Sequence, residues 1–133
     1  MRKIWDIHGG IHPPENKTQS LGEAIRPAGI PAQLIVPLSQ HIGAPAAPIV
    51  EVGDRVLKGQ MIAEAKGFVS APVHAPSSGT VAAIEARVIP HPSGMSAPCI
   101  IIHCDGQDEW ISHQGVADYT QLDKPSLLEL IRN

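Results

Sequence analysis

The chain carries V-E-V-G-D-R-V-L-K-G-Q-M-I-A-E-A at residues 50–65 and H-A-P-S-S-G-T-V at residues 74–81, and these two segments decide its fold. Turn pairs interrupt them at Gly53-Asp54, Lys58-Gly59 and Ser78-Gly79, where glycine allows positive φ and aspartate stabilises tight turns. The apolar runs beside these turns are rich in Val and Ile, too short for helices and typical of strands. They are Ile49–Val52, Val56–Leu57, Met61–Ala63 and Val81–Ile84. The pattern predicts an all-β fold, a small barrel or sandwich.

The two segments also resemble a known scaffold. G-D-x-V-x-x-G-Q-x-I followed by A-P-x-S-G-x-V is similar to the biotinyl/lipoyl carrier fold, a flattened barrel-sandwich hybrid of two quasi-symmetric halves. In that family a modified Lys stands at a hairpin tip. Counting back from Gly79 places Phe68 there, with Lys66 two residues earlier and without the flanking residues of a carrier. The resemblance therefore implies the scaffold, and a carrier domain modified on Lys66 is the alternative function.

Composition narrows the class of protein. The 133 residues carry a net charge of −3 and no basic run, so nothing predicts binding to nucleic acid. No apolar stretch reaches the roughly 20 residues of a membrane helix, and no signal peptide follows Met1, so we expect a cytoplasmic protein. Because only Trp5, Phe68, Trp110 and Tyr119 are aromatic, we expect an aliphatic core.

Further elements are predicted on both sides of these segments. Gln33 to Pro37 is a strand bounded by prolines, and Val73 to Pro76 completes a return strand. Pro98 to Cys104 is the clearest strand, and Asp105-Gly106 ends it as a hairpin-type turn. Cys99 and Cys104 would face opposite sides of that strand, so we interpret them as structural residues in a reducing compartment and not as a disulfide.

Residues 119–133 have a helical period instead. Leu127, Leu130 and Ile131 fall on one helix face, and Ser126 and Glu129 have the spacing of a capping box. The chain stops directly after this helix, and we expect the native reading frame to continue.

The histidines suggest alternatives that the sequence disfavours. His8 and His12 have the spacing of metal ligands only on a helix, and the two glycines and the proline around them make a helix unfavourable. His41 beside Gln40 could contact a ligand, but such a pair more often satisfies local backbone groups. His74 could be catalytic, but no nucleophile or carboxylate is linked to it by a motif. We interpret both as structural.

A wider resemblance covers nearly the whole chain. The matching segments are W-D-I-H-G-G-I-H-P-P-E-N-K-T-Q-S (5–20), I-V-P-L-S-Q-H-I-G-A (35–44), V-G-D-R-V-L-K-G-Q (52–60), P-V-H-A-P-S-S-G-T-V (72–81), H-P-S-G (91–94) and D-G-Q-D-E-W-I (105–111). Together they resemble the C subunits of the Rnf-type electron transport complex, called Rsx in some bacteria.

The resemblance implies a peripheral subunit on the cytoplasmic face of the inner membrane, in a complex that couples electron transfer between NADH and ferredoxin to ion translocation. By resemblance the full-length subunit uses FMN, NADH and 4Fe-4S clusters. No position of this chain matches those motifs, so no catalytic, cofactor-binding or metal-ligating residue is carried over. We expect the chain alone to be an accessory scaffold domain that holds no cofactor and has no activity. Its expected partners are other subunits of the complex and a nucleotide-binding domain of the same protein.

The expected organisation has three parts: an N-terminal extension packing on the barrel (1–48), a barrel-sandwich core (49–112), and a linker with the start of a helix that leads to the nucleotide-binding domain (113–133). The irregular N-terminal backbone and the short apolar helix are the candidate docking elements, because neither has enough local contacts to justify its order. The candidate docking residues are Gly9, Gly10, His12, Pro13, Pro14, Lys17, Leu127, Leu130 and Ile131.

Overall fold

Two antiparallel sheets carry the fold. The computed structural model describes Gly9 and residues 13–113 and 115–132. Its strands are β1 (Gln33–Pro37), β2 (Ala47–Pro48), β3 (Arg55–Val56), β4 (Met61–Glu64), β5 (Val73–His74), β6 (Gly79–Val88) and β7 (Ser96–Cys104). One sheet has the order β1-β7-β6-β3 and the other the order β2-β4-β5. The α-helix α1 spans Lys124–Arg132, and short 3-10 helices occupy Thr18–Ser20 and Tyr119–Gln121.

The long hairpin of β6 and β7 is the spine of the larger sheet. Its register runs from Gly79 opposite Cys104 to Val88 opposite Ser96, with an irregularity between Val81 and Ala83. The irregularity leaves Ala82 as an extra residue, and such bulges increase the local twist of a strand. β1 pairs along the other edge of β7, and β3 pairs with the start of β6. The hairpin therefore lies in the sheet between β1 on one side and β3, which belongs to the Gly53–Gly59 region, on the other.

The core between the sheets is aliphatic, as the composition predicts. Each large aliphatic side chain in it contributes roughly 1.5–3 kcal/mol of burial free energy. Phe68, Trp110 and Tyr119 are all exposed, and Trp5 lies outside the described residues. The core residues are Val36, Leu38, Ala46, Val50, Val56, Ile62, Ala63, Val73, Ala75, Val81, Ile100 and Ile102.

Most of the predicted strands are confirmed. Gln33–Pro37 and Val73–His74 form strands, and Pro98–Cys104 lies within β7. The prediction of a strand at Ile49–Val52 is wrong. The paired strand here is β2, which ends at Pro48, directly before the predicted strand. Beyond β2 only the amide of Ile49 continues the pairing, with a hydrogen bond to the carbonyl of Ile62 at 3.0 Å. β1 and β2, which fall within residues 1–48, pair with β7 and β4.

Glycine acts by two different mechanisms in the decisive segments. Gly53 and Gly59 have positive φ, of 101° and 81°, which confirms the predicted turns. Gly79, predicted to be a turn glycine, does not have positive φ and is the first residue of β6. A Cβ atom at Gly79 would lie 2.2 Å from the carbonyl oxygen of His103, so this residue is required by the close approach of two backbones.

The C-terminal helix is confirmed, but its cap is not the predicted one. Asp123 precedes α1 and its Oδ1 accepts a hydrogen bond from the amide of Ser126 at 3.1 Å, while its carbonyl accepts the amide of Leu127. Asp123 is therefore the N-cap, and Ser126 lies within the first turn. Pro125 falls in that first turn as well, where a missing N–H breaks no helical bond.

Candidate functional site

Three of the sequence segments that resemble the Rnf-type C subunits meet at one place in the fold. Basic side chains come from β3 and the turn after it, serines from the two residues directly before β6, and carboxylates from the loop after β7. We call this group the polar junction. It consists of Arg55, Lys58, Ser77, Ser78, Asp105, Asp108 and Glu109.

One half of the polar junction is centred on Asp105. Its Oδ1 accepts hydrogen bonds from the hydroxyl of Ser78 at 2.7 Å and from the amide of Gln107 at 2.9 Å. Arg55 reaches its Oδ2 at 3.5 Å and makes a closer pair with Glu109 at 2.6 Å. The hydrogen bond from Ser78 is the main cause that lowers the pKa of Asp105, so this carboxylate is charged in the folded protein.

The other half is centred on Asp108. Its carboxylate pairs with the ammonium of Lys58 and accepts the hydroxyl of Ser77 at 2.8 Å. The hydrogen bond from Lys58 is the main cause that lowers the pKa of Asp108. Asp108 has a positive φ of 53°, a conformation that aspartate tolerates better than most residues.

Backbone hydrogen bonds fix the same contact. The amide of Lys58 donates to the carbonyl of Glu109 at 2.8 Å, and the amide of Ile111 donates back to Lys58 at 3.0 Å, which makes a parallel bridge with Trp110. The buried hydroxyl of Ser78 accepts the amide of Glu109 at 2.9 Å. Among the described residues no buried side-chain nitrogen or oxygen lacks a hydrogen-bond partner. The polar junction therefore holds three chain segments together, and its charged groups are paired with one another.

Sequence reasoning missed the polar junction, although a signal was present. Arg55 and Lys58 stand three residues apart, and so do Asp105 and Asp108. The first pair is basic and the second acidic, and each has a member next to a turn glycine. This pattern could have suggested that the two segments contact each other. The sequence alone does not show that the pairing of β6 with β7 brings the turn after β3 and the loop after β7 to the same end of the sheet.

The predicted N-terminal docking residues fall partly within the described chain. Gly9, Pro13, Pro14 and Lys17 are exposed, and the ammonium of Lys17 lies 3.3 Å from Glu15. Gly10 and His12 lie outside the described residues, and so does the pair of His8 and His12 considered for a metal. Across the ranges 13–113 and 115–132, no three His, Cys, Asp or Glu side chains are grouped so that they could hold a metal ion.

The apolar face predicted for α1 is largely exposed to solvent. Leu127 is half-buried, while Leu130 and Ile131 are 52% and 72% exposed. No helix in the described part of the chain is long and apolar enough to cross a membrane.

Lys66 and Phe68 both lie in the β4–β5 loop, residues 65–72, which corresponds to the hairpin that presents the modified lysine in carrier domains. Both side chains are exposed, and that of Phe68 is 99% exposed. Hydrogen bonds attach the loop to residues 41–44. The sequence predicted that Phe68 stands at the tip of this loop. It did not predict that Phe68 belongs to a docking surface.

Comparison with known proteins gives one consistent result. The family model for the RnfC barrel sandwich hybrid domain matches residues 5–107. The C subunit of the ion-translocating oxidoreductase complex of Vibrio cholerae O1 (classical Ogawa 395) is 50% identical over 130 residues, which are 98% of this chain and 17% of that protein.

Two enterobacterial relatives agree with it. The C subunits of the same kind of complex from Klebsiella pneumoniae and Salmonella gallinarum are 50% and 47% identical over 129 residues, or 97% of this chain and 17% and 19% of theirs. The chain thus spans less than a fifth of the length of the curated relatives it matches. The match over residues 5–107 and the two-sheet architecture lead to the same conclusion: the chain belongs to the RnfC barrel sandwich hybrid domain family.

Proposed function

We propose that this chain acts as an accessory docking domain of the C subunit in an ion-translocating oxidoreductase complex. In this role it positions the rest of the subunit against the other subunits of a complex that couples electron transfer between NADH and ferredoxin to ion translocation. The family match and the C-subunit relatives support this assignment.

One observation carries the proposal: in the described chain the ionisable groups of the polar junction are paired with one another, whereas several apolar side chains are exposed. The ionisable groups of the polar junction are paired with one another, as in Arg55–Glu109 and Lys58–Asp108. Paired carboxylates that accept hydrogen bonds from serine and lysine are poor general bases, because their pKa values are lowered. The polar groups therefore stabilise the domain.

Apolar side chains, in contrast, are directed outward at several places. Leu130 and Ile131 on α1 and Phe68 on the β4–β5 loop are more than half exposed. Single exposed apolar residues are common, but a helix face of this kind is short for independent stability and gains order by docking. The proposal assigns these surfaces to contacts within the complex.

The proposal places the domain on the cytoplasmic face of the membrane, attached through its partners. FMN, NADH and 4Fe-4S clusters are assigned to other parts of the full-length subunit, because no segment of this chain matches their motifs. The alternative of a carrier domain has one observation in its favour: Lys66 is exposed on the loop that presents the lysine in carriers.

The test is assembly of the complex. In the full-length subunit with an affinity tag, Leu130→Glu together with Ile131→Glu should reduce the amount of the other subunits that co-purify with the tagged one. Val88→Glu together with Met95→Glu, at two positions of the β6–β7 hairpin that are each 67% exposed, is the matched control and should leave recovery unchanged. Full recovery with the helix variant would contradict docking through α1.

A further inference from the structure

Phe68 is the most exposed aromatic side chain in the described chain, and the backbone that follows it is held by hydrogen bonds to residues 41–44. It lies in the β4–β5 loop between Met61–Glu64 and Val73–His74, next to Gly67, which has a φ of 84°. Its side chain is 99% exposed, so the ring contributes no burial to the fold. The residue is therefore not explained by the stability of the domain.

The loop that carries Phe68 is held by contacts that do not involve the ring. The amide of Ala44 donates to the carbonyl of Val69 at 3.0 Å, and the hydroxyl of Ser70 donates to the carbonyl of Ala44 at 2.9 Å. The amide of Ala71 donates to Nε2 of His41 at 3.2 Å. These three bonds tie residues 69–71 to residues 41–44.

His41 and Gly43 complete the attachment. Nδ1 of His41 lies 2.9 Å from the carbonyl oxygen of Ile42, so the ring donates through Nδ1 and accepts through Nε2. A Cβ atom at Gly43 would lie 2.0 Å from the carbonyl oxygen of Val69, so only glycine permits this approach. The backbone directly after Phe68 is thus held in place, and a backbone ordered in advance lowers the entropy cost when the residue enters a pocket.

The surroundings of Phe68 combine apolar and charged groups. Phe68 and Arg132, at the C-terminal end of α1, line the same depression of about 440 Å³, together with Met61, Glu64 and Pro72. Aromatic and apolar side chains next to charged ones are the usual composition of a protein–protein contact. More than four fifths of the length of the matched C subunits lies outside the segment that this chain covers.

From these observations we infer that Phe68 is an anchor for docking within the C subunit itself. It enters an apolar pocket on the part of the subunit that lies outside these 133 residues, and Arg132 places the end of α1 beside the same contact. The inference rests on the proposed function, since it names the partner for one of the docking surfaces.

Site-specific photo-crosslinking tests the inference in the assembled complex. A benzophenone-bearing phenylalanine analogue replaces Phe68 in the full-length subunit, and in a control it replaces Met95, which is also largely exposed. Irradiation should give an intramolecular crosslink from position 68, mapped by mass spectrometry to a peptide of the same subunit outside residues 1–133. Its yield should be several-fold above that of any crosslink from position 95.

The other outcomes separate this inference from the proposed function. A crosslink from position 68 to another subunit or to lipid overturns intramolecular docking but leaves a docking domain in place. A yield no higher than at position 95 overturns the role of Phe68 as an anchor. The proposed function fails only if the double substitution of Leu130 and Ile131 leaves assembly intact.

Discussion

The ammonium nitrogen of Lys58 lies 4.7 Å from the centre of the Trp110 ring while the same ammonium pairs with the carboxylate of Asp108. A cation over an aromatic face is attracted by the ring electrons, and this attraction adds to the ion pair. The ring also packs on Gly59, where a Cβ atom would lie 3.1 Å from it, and lies 5.0 Å from the ring of His113. One lysine therefore connects the turn before β4 to the segment after β7.

This arrangement predicts how stability depends on pH. The pKa values of Asp105 and Asp108 are lowered in the folded state, the first mainly by Ser78 and the second mainly by Lys58. Their contribution is fully present above the unfolded pKa of about 3.9 and is lost as the pH falls through the lower folded values. Lys58→Gln should make the loss of stability between about pH 5 and pH 2 shallower. Urea unfolding midpoints across that range measure it, and an unchanged slope would argue against the pairing.

Gly79 should tolerate no side chain. In Gly79→Ala the new methyl group would meet the backbone of His103, which cannot move without disturbing the β6–β7 ladder. We expect a loss of about 1–3 kcal/mol in the free energy of unfolding. Gly22→Ala is the control, since a Cβ atom there has no neighbour within 4 Å and the φ is not positive. Chemical denaturation of both variants tests the difference, and equal stabilities would contradict the close approach.

Ile62 should be among the most sensitive core positions. It is fully buried in β4, and Ile62→Ala would leave a cavity between the two sheets. The expected loss is about 2–5 kcal/mol. Ile42→Ala is a matched control because that side chain is 84% exposed, and it should change stability by less than about 0.5 kcal/mol. A small effect at Ile62 would mean that the core collapses around the change.

Lys66 should carry no lipoyl or biotinyl group. It is exposed on the β4–β5 loop, but the tip position is taken by Phe68, and the residues around Lys66 do not match those of carriers. After co-expression with a lipoyl or biotin ligase, intact mass spectrometry should return the mass of the unmodified chain. A stoichiometric adduct on Lys66 would establish the carrier function instead.

Hydrogen exchange should distinguish the docking elements from the sheet. The amides of residues 15–17 and 127–131 should exchange faster in the isolated chain than those of Cys99–Cys104, which lie in the interior strand β7. In the full-length subunit within the complex, the first two groups should become protected. Equal protection in both samples would show that these residues belong to the domain itself.

The parts of the fold that follow a local rule were predictable. The prolines around β1, the Val- and Ile-rich run of β7 and the turn glycines Gly53 and Gly59 all act through their immediate neighbours in the chain. The helix was predictable from its period. Its start was predicted too late, because the spacing of Ser126 and Glu129 predicts Ser126 as the N-cap. Asp123, three residues earlier, is the N-cap instead and accepts a hydrogen bond from the amide of Ser126.

The parts that depend on long-range contacts were not predictable. Gly79 resembles a turn glycine in the sequence, and only its proximity to His103 shows why it is glycine. The polar junction likewise requires the register of β6 against β7, which places Ser78 beside Asp105. At the β4–β5 loop, the fold family indicated where the tip lies, but the attachment through His41 became visible only in the structure.

The pairing of β1 with β7 determines when the domain can fold. Gln33 lies opposite His103, 70 residues further along, so this pairing closes one of the longest loops in the domain. Contacts of such separation form slowly, because the entropy of the intervening chain is lost before the contact is gained. During synthesis β1 leaves the ribosome well before β7 exists, and Val36 and Leu38 remain without their core during that interval. The nascent chain can complete the larger sheet only after residue 104 has emerged, and until then its first strand keeps an unpaired edge and uncovered apolar side chains, the features that favour aggregation.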